Sequence, residues 1–350
     1  MKNQFNLNLI SKYRDELFGI AIIAIVFFHF CANHVAYYGP RGANSILFNF
    51  TEHYLQYVGS IGVEIFVFLS GVGLYYSFSK NSDTKCFFKK RGKRILTPYL
   101  IIGISFWTIK DLIILKKGIA AFVKDLSFYS FFSDGVRTIW YIFLMIVLYL
   151  LFPSIYYIIH EKKIKGGFAV LLLITLIFPA VLMLINNVLY SNISIAITRI
   201  PIFIVGVYAG RLVKEEHTID YNALVILVAS LFIVGIKAKR VNLVSYISRY
   251  IDGCYSLAII AFLICILELV NNTIIWKKYI CGLFRFAGKY SLELYLTHVT
   301  LRNLMGTVGM PRYRTSVYCA MVVVAVVLSL LLNKLCKSIN NLKLSKNKSG

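Results

Sequence analysis

Several short stretches of this 350-residue chain place groups capable of acid–base or ionic chemistry inside otherwise apolar sequence. The first is Leu17–Phe30, LFGIAIIAIVFFHF, whose one titratable side chain is His29. A full charge near the centre of a spanning helix costs roughly 2.5–3.5 kcal/mol, so such groups face a bundle interior or an aqueous cavity and mark function. Imidazole is the cheap base for that setting, because its ordinary pKa of about 6.5 leaves it mostly uncharged at neutral pH. The bland alternative is a buried histidine hydrogen-bonded to a neighbouring helix. Glu64, in VGSIGVEIFVFLSGVG, is the acidic counterpart. It could support His29 or pair with an arginine on another helix. Arg91 and Arg94 lie three apart, on one face of a helix, within the basic run of Lys85, Lys89, Lys90 and Lys93. Arginine can hold a phosphate through two hydrogen bonds. Trp140 opens a later apolar run, Arg199 stands at the boundary of another, and Glu293 and His298 lie inside a third. Arg199 could snorkel or contact a substrate.

The elements that must position these groups are membrane helices. Hydrophobic residues make up 59% of the chain and charged residues 15%, and the apolar residues fall in long runs between short basic loops. In lipid every backbone polar group must bond within its own segment, so helices are the reading for runs of this length. Ten spans are predicted, at about 17–36, 57–79, 95–115, 139–159, 168–189, 193–210, 221–236, 251–270, 289–305 and 316–333. The third is interrupted by Lys110 and Asp111. The expected fold is therefore an all-α integral membrane protein with an even number of spans and both termini on one side. Of the 38 Lys and Arg residues, 24 fall on the side of the termini and 14 on the other, which places both termini in the cytoplasm by the positive-inside rule. The bias is modest because 110–137 and 237–249 are also basic. The expected division is a cytoplasmic segment 1–16, a transmembrane domain 17–336 and a cytoplasmic basic tail 337–350. From about Asn340 the Lys/Asn/Ser-rich composition is that of a disordered tail. The first apolar run carries no small-residue cleavage site and reads as a retained helix, so a multi-pass protein of the cell membrane is expected.

The net charge of +23 fits positive-inside anchoring and contact with anionic membrane lipids. The run KKRGKR would suggest nucleic acid in a soluble chain. Here it lies against a bilayer with no reading domain around it, and no nucleic-acid partner is expected. The odd, scattered set Cys31, Cys86, Cys254, Cys265, Cys281, Cys319 and Cys336 reads as small buried hydrophobes. No metal is expected, since His29 and His34 are five apart and do not share a helical face. The chain has no G-x-S-x-G elbow, P-loop or H-E-x-x-H.

Taken in order, the motifs resemble the bacterial membrane acyltransferase-3 family. They are the L-x-G-I-A-I-x-x-x-V-x-x-H pattern ending at His29, then Gly62-Val63-Glu64-Ile65-Phe66 with Leu69-Ser70-Gly71. Phe88-x-x-Arg91-x-x-Arg94-Ile95-x-x-Pro98-Tyr99 follows, then Trp140-Tyr141 with Pro153. Ile200-Pro201 to Gly210 and Tyr290-Ser291 to His298 complete the set. The resemblance implies ten core helices, an acyl-CoA donor (usually acetyl-CoA) on the cytosolic side, an essential His29, and Arg91 and Arg94 in the active region, with Lys90 beside them. Its acceptors are hydroxyls of glycans and related molecules, such as a lipid-linked saccharide. His29 would serve as general base or as acyl carrier. Family members often carry Arg or Lys eleven residues before the histidine. Here that position is Phe18, and Arg14, one turn earlier, is the candidate replacement. Trp140, Arg199 and His298 are the candidates for acceptor contact. The rival reading is a transporter or flippase of lipid-linked sugars with His and Glu as a proton relay. No broken-helix pair or inverted repeat supports it.

Overall fold

The structure, a computed structural model, describes residues 4–42, 45–59, 61–161, 166–240 and 245–346. A short strand β1 (Gln4–Asn6) and helix α1 (Asn8–Lys12) precede α2 (Arg14–Tyr38), the helix that carries His29. Next come α3 (Ile46–Tyr57), α4 (Ile61–Phe78) and α5 (Thr84–Trp107). Asp83 caps α5 by accepting from the Lys85 N–H at 2.9 Å. Where Lys110 and Asp111 interrupt the apolar run, α5 passes into a π-helical turn, Thr108–Ile114. Two short helices, α6 (Ile119–Leu126) and α7 (Tyr129–Ser133), lead to α8 (Trp140–His160) and α9 (Gly167–Ile185).

The sixth span is built from two pieces, α10 (Asn187–Ile197) and α11 (Ile200–Lys214), with Pro201 seated in the first turn of α11. Strand β2 (Thr218–Asp220) pairs antiparallel with β1, in the register Gln4 to Asp220, and ties the amino terminus to the end of α11. The chain continues as α12 (Tyr221–Arg240), α13 (Ser245–Val270), α14 (Cys281–Lys289), α15 (Ser291–Thr307) and α16 (Thr315–Lys346).

Among the described residues, nine helical segments are long and apolar enough to cross a membrane. The tenth expected span is α15, shorter at 17 residues and bearing Glu293, His298 and Arg302. Its polar groups are affordable because it is surrounded by protein: Glu293 and Leu296 are fully buried. The outermost helices are α9 and α12, whose apolar side chains face outward; Leu173, Ile174 and Ile177 of α9 are all more than half exposed. A lipid-facing side chain needs no protein partner. The protein is thus an all-α integral membrane protein with a minimal sheet. The basic tail differs from expectation, because α16 runs on to Lys346 and residues 337–346 extend the last helix; residues 347–350 lie outside the described ones.

Helix α4 is the centre of the bundle, and α11 lies against it at backbone contact. A Cβ at Gly206 would stand 2.2 Å from the Phe68 carbonyl oxygen, and one at Gly71 2.6 Å from that of Phe203. Small residues here let two helices approach more closely than any side chain allows. Gly206→Leu should force the pair apart, at a cost of about 3 kcal/mol or more. The expected outcome is loss of the monodisperse peak when the detergent-extracted variant is run on size exclusion. A wild-type profile would show that the contact is dispensable.

Candidate active site

Two cavities enter the bundle from opposite ends. The first lies at the amino-terminal end, has a volume of about 310 Å³, and is lined by Arg14, Phe18, Arg91, Arg94, Tyr149 and Lys289 among others. The Arg14 guanidinium packs over the Phe18 ring, 4.8 Å from its centroid, and against Gly73, whose missing side chain leaves it room. Arg91 Nη2 donates to Ser77 Oγ at 2.8 Å. Arg94 is clamped by a buried carboxylate: Nη1 and Nη2 donate to the two oxygens of Glu293 at 2.6 and 3.3 Å. Asn333 Nδ2 adds a third bond to Glu293 at 2.9 Å, so this carboxylate joins α5, α15 and α16. The Arg94 side chain remains 44% exposed and still faces the cavity. Lys90 does not line it. On a helical wheel Arg94 falls between Lys90 and Arg91; the cavity is on the Arg91 side, and Lys90 is exposed.

The second cavity, of about 540 Å³, opens at the far end and is lined by His29, Trp140, Arg199, Arg137, Arg249 and Arg302 among others. His29 is fifteen residues beyond Arg14 on α2, about 22 Å along the helix. Arg14 therefore belongs with Arg91 and Arg94, more than half the length of α2 from the imidazole. The two cavities share Ile25, Val63 and Tyr295 as lining residues. These three side chains, from α2, α4 and α15, form the partition between them. The Tyr295 hydroxyl is buried without a hydrogen-bond partner among the described residues, which leaves a polar group at the partition.

His29 is backed by His298, whose ring stacks on it with centroids 5.1 Å apart and planes at 23°. His298 itself is buried and does not line the cavity. Its Nε2 lies 2.7 Å from the Tyr318 hydroxyl, which also lies 2.7 Å from the Val26 carbonyl. The carbonyl can only accept, so the tyrosine proton goes to Val26 and His298 Nε2–H donates to the tyrosine oxygen. Tyr318 thereby fixes the tautomer of His298 and ties α16 to α15 and α2. Nδ1 of His29 is buried with no hydrogen-bond partner among the described residues; the fold holds a polar atom in that state at some cost.

Glu64 faces Arg199. Arg199 Nε donates to Glu64 Oε2 at 3.2 Å, both side chains nearly inaccessible, and Arg199 Nη1 caps the end of α10 at the Ile195 carbonyl. Glu64 lies in the first turn of α4, where the helix dipole favours a carboxylate. Of the two readings open for Glu64, its hydrogen bond is to the arginine of another helix. Trp140 covers that arginine, its ring 5.0 Å from the guanidinium carbon. Removing one partner of a buried ion pair strands the other, at about 3–5 kcal/mol. Arg199→Ala should therefore lower the aggregation temperature of the purified protein, with Glu64→Gln in the same chain recovering part of the loss. Equal melting of wild type and Arg199→Ala would contradict the pairing.

Sequence reasoning did not single out Arg137, Arg249, Arg302, Tyr295 or Tyr318. A signal existed for Arg302, four residues after His298 and so on the same face of α15.

Comparison with known proteins bears on the chemistry. No curated protein and no solved structure gives a significant match. A family model described as an acyltransferase domain matches residues 19–334, most of the chain, the whole lining of the far cavity and all of the first cavity's lining but Arg14, Asp15 and Phe18. The chain therefore belongs to the acyltransferase-3 family and is a membrane acyltransferase.

Proposed function

We propose that the protein moves an acyl group, acetyl in the simplest case, from acyl-CoA to a hydroxyl of a glycan or lipid-linked saccharide, with His29 as general base. The observation that carries this is the meeting of two cavities from opposite ends of the bundle at Ile25, Val63 and Tyr295, with His29 on the far side of the partition. In this reading the amino-terminal end faces the cytoplasm, as the charge bias predicts, and the membrane is the cell membrane.

The residues suit the parts. A volume of about 310 Å³ is at the small end for a drug-sized ligand, so the slender thiol arm of the donor enters while its nucleotide stays outside. Arg14, Arg91 and Arg94 then hold phosphates at the mouth, with exposed Lys89 and Lys90 adding to the field beyond it. The thioester reaches past Val63. The acceptor hydroxyl, in the far cavity, gives its proton to His29 as its oxygen bonds to the acyl carbon. The C–S bond then breaks, and the thiolate leaves with the proton from His29. General-base help of this kind contributes about 10²–10⁴-fold. The buried Tyr295 hydroxyl stands where a donor to the acyl oxygen is needed.

The test uses cells lacking the protein, complemented at matched membrane levels by wild type or His29→Ala. Wild type should restore base-labile acetyl on surface glycans and His29→Ala should not. Equal restoration by both overturns the role of His29. Glycan transport without acyl-CoA consumption would favour a flippase instead.

A further inference from the structure

The far cavity carries more positive charge than one reaction needs. Four arginines line it: Arg137, Arg199, Arg249 and Arg302. Against them stand two carboxylates, Asp252 in the lining and Glu64 behind Arg199. The other contacts of Arg137 and Arg302 are to neutral acceptors. Arg137 Nη2 donates to the Ser191 carbonyl at 2.6 Å, and Arg302 Nη2 to Asn33 Oδ1 at 2.8 Å. Arg302 Nε is buried with no hydrogen-bond partner among the described residues. The four come from separate places, before α8, at the α10–α11 junction, early in α13 and late in α15, so no single local cause gathers them.

Guanidinium groups brought together against apolar walls repel one another and lose water, so the arrangement is stable only with anions to match. One oxyanion develops during acyl transfer, and only transiently. Two positive charges in excess of the carboxylates call for a resident anion. The planar guanidinium is also the side chain suited to a phosphate or carboxylate held through paired hydrogen bonds.

We infer that the acceptor is anionic: the hydroxyl that receives the acyl group belongs to a molecule carrying a phosphate or a carboxylate, which the arginine set beside His29 binds. This rests on the acyltransferase reading above and names the substrate class of the same site. Trp140, lying over Arg199, offers the flat apolar face against which a sugar ring can pack while its acidic group meets the arginines.

The experiment labels cells with radioactive acetate and compares wild type with His29→Ala. Base-labile acetyl esters are then separated by anion exchange. The label lost in His29→Ala should be label that the column retains. Loss of its retention after phosphatase or mild acid identifies a phosphate, and loss after carbodiimide reduction a carboxylate. Arg302→Gln with Arg249→Gln should lower this retained label about tenfold or more at matched membrane levels, with Lys at both positions restoring part of it. If the lost label runs through the column as neutral material, the inference is wrong while the acyltransferase reading stands. If His29→Ala loses no label, His29 is not the base of the transfer, and this inference, which seats the acceptor beside it, falls with that role.

Discussion

Acyl transfer by His29→Gln should fall about 10²–10⁴-fold relative to wild type. Glutamine keeps a polar side chain of similar reach but takes no proton at neutral pH. The change gives up the ring stack on His298, but the tie from His298 through Tyr318 to Val26 involves no atom of His29, so the bundle should survive it. The measurement is the rate of acyl-CoA consumption in isolated membranes, alongside the size-exclusion profile. A variant that elutes normally and turns over within threefold of wild type would leave His29 as a packing residue.

Val63→Trp should be nearly as damaging, for a different reason. Val63 is only partly buried because it lines both cavities at the partition. An indole there fills the gap through which the thioester must pass, and misplacement of reacting groups by even 1 Å can cost about 100-fold. Donor binding at Arg14, Arg91 and Arg94 should persist, so the loss should fall on kcat with KM for acyl-CoA little changed. Val63→Ala should do the reverse and widen the opening, raising hydrolysis of acyl-CoA by water in the absence of acceptor. If Val63→Trp transfers normally, the two cavities do not communicate at this point.

The helices were legible because length and hydropathy are local properties of sequence. His29 was legible for the same reason, as a lone ionisable group in an apolar run. The ion pairs were harder. Arg199 and Glu64 are 135 positions apart, and Arg94 and Glu293 are 199 apart; which helices meet, and how each is rotated, is a property of packing that no single span encodes. That is why Glu64 could be read either as support for His29 or as an arginine partner. Arg94 was read as a phosphate ligand, yet half its work is to neutralise a buried glutamate.

The basic segments 110–137 and 237–249 diluted the orientation bias, and the structure gives a reason. Arg137 and Arg249 line the far cavity, so their place in the bundle needs no anchoring role. Counting charge by loop cannot tell the two uses apart. The tail misled because its polar composition suggests disorder, whereas helix propagation from an established span costs little once nucleated.

The most direct test of the account is the side from which the donor is used. Sealed membrane vesicles of both orientations, carrying wild type or His29→Gln, are given radioactive acetyl-CoA, which does not cross the bilayer. His29-dependent labelling of membrane glycan is expected only when acetyl-CoA meets the face bearing Arg14, Arg91 and Arg94, with the labelled groups exposed on the opposite face. Labelling from the His29 face, or product confined to the side of the donor, would contradict it.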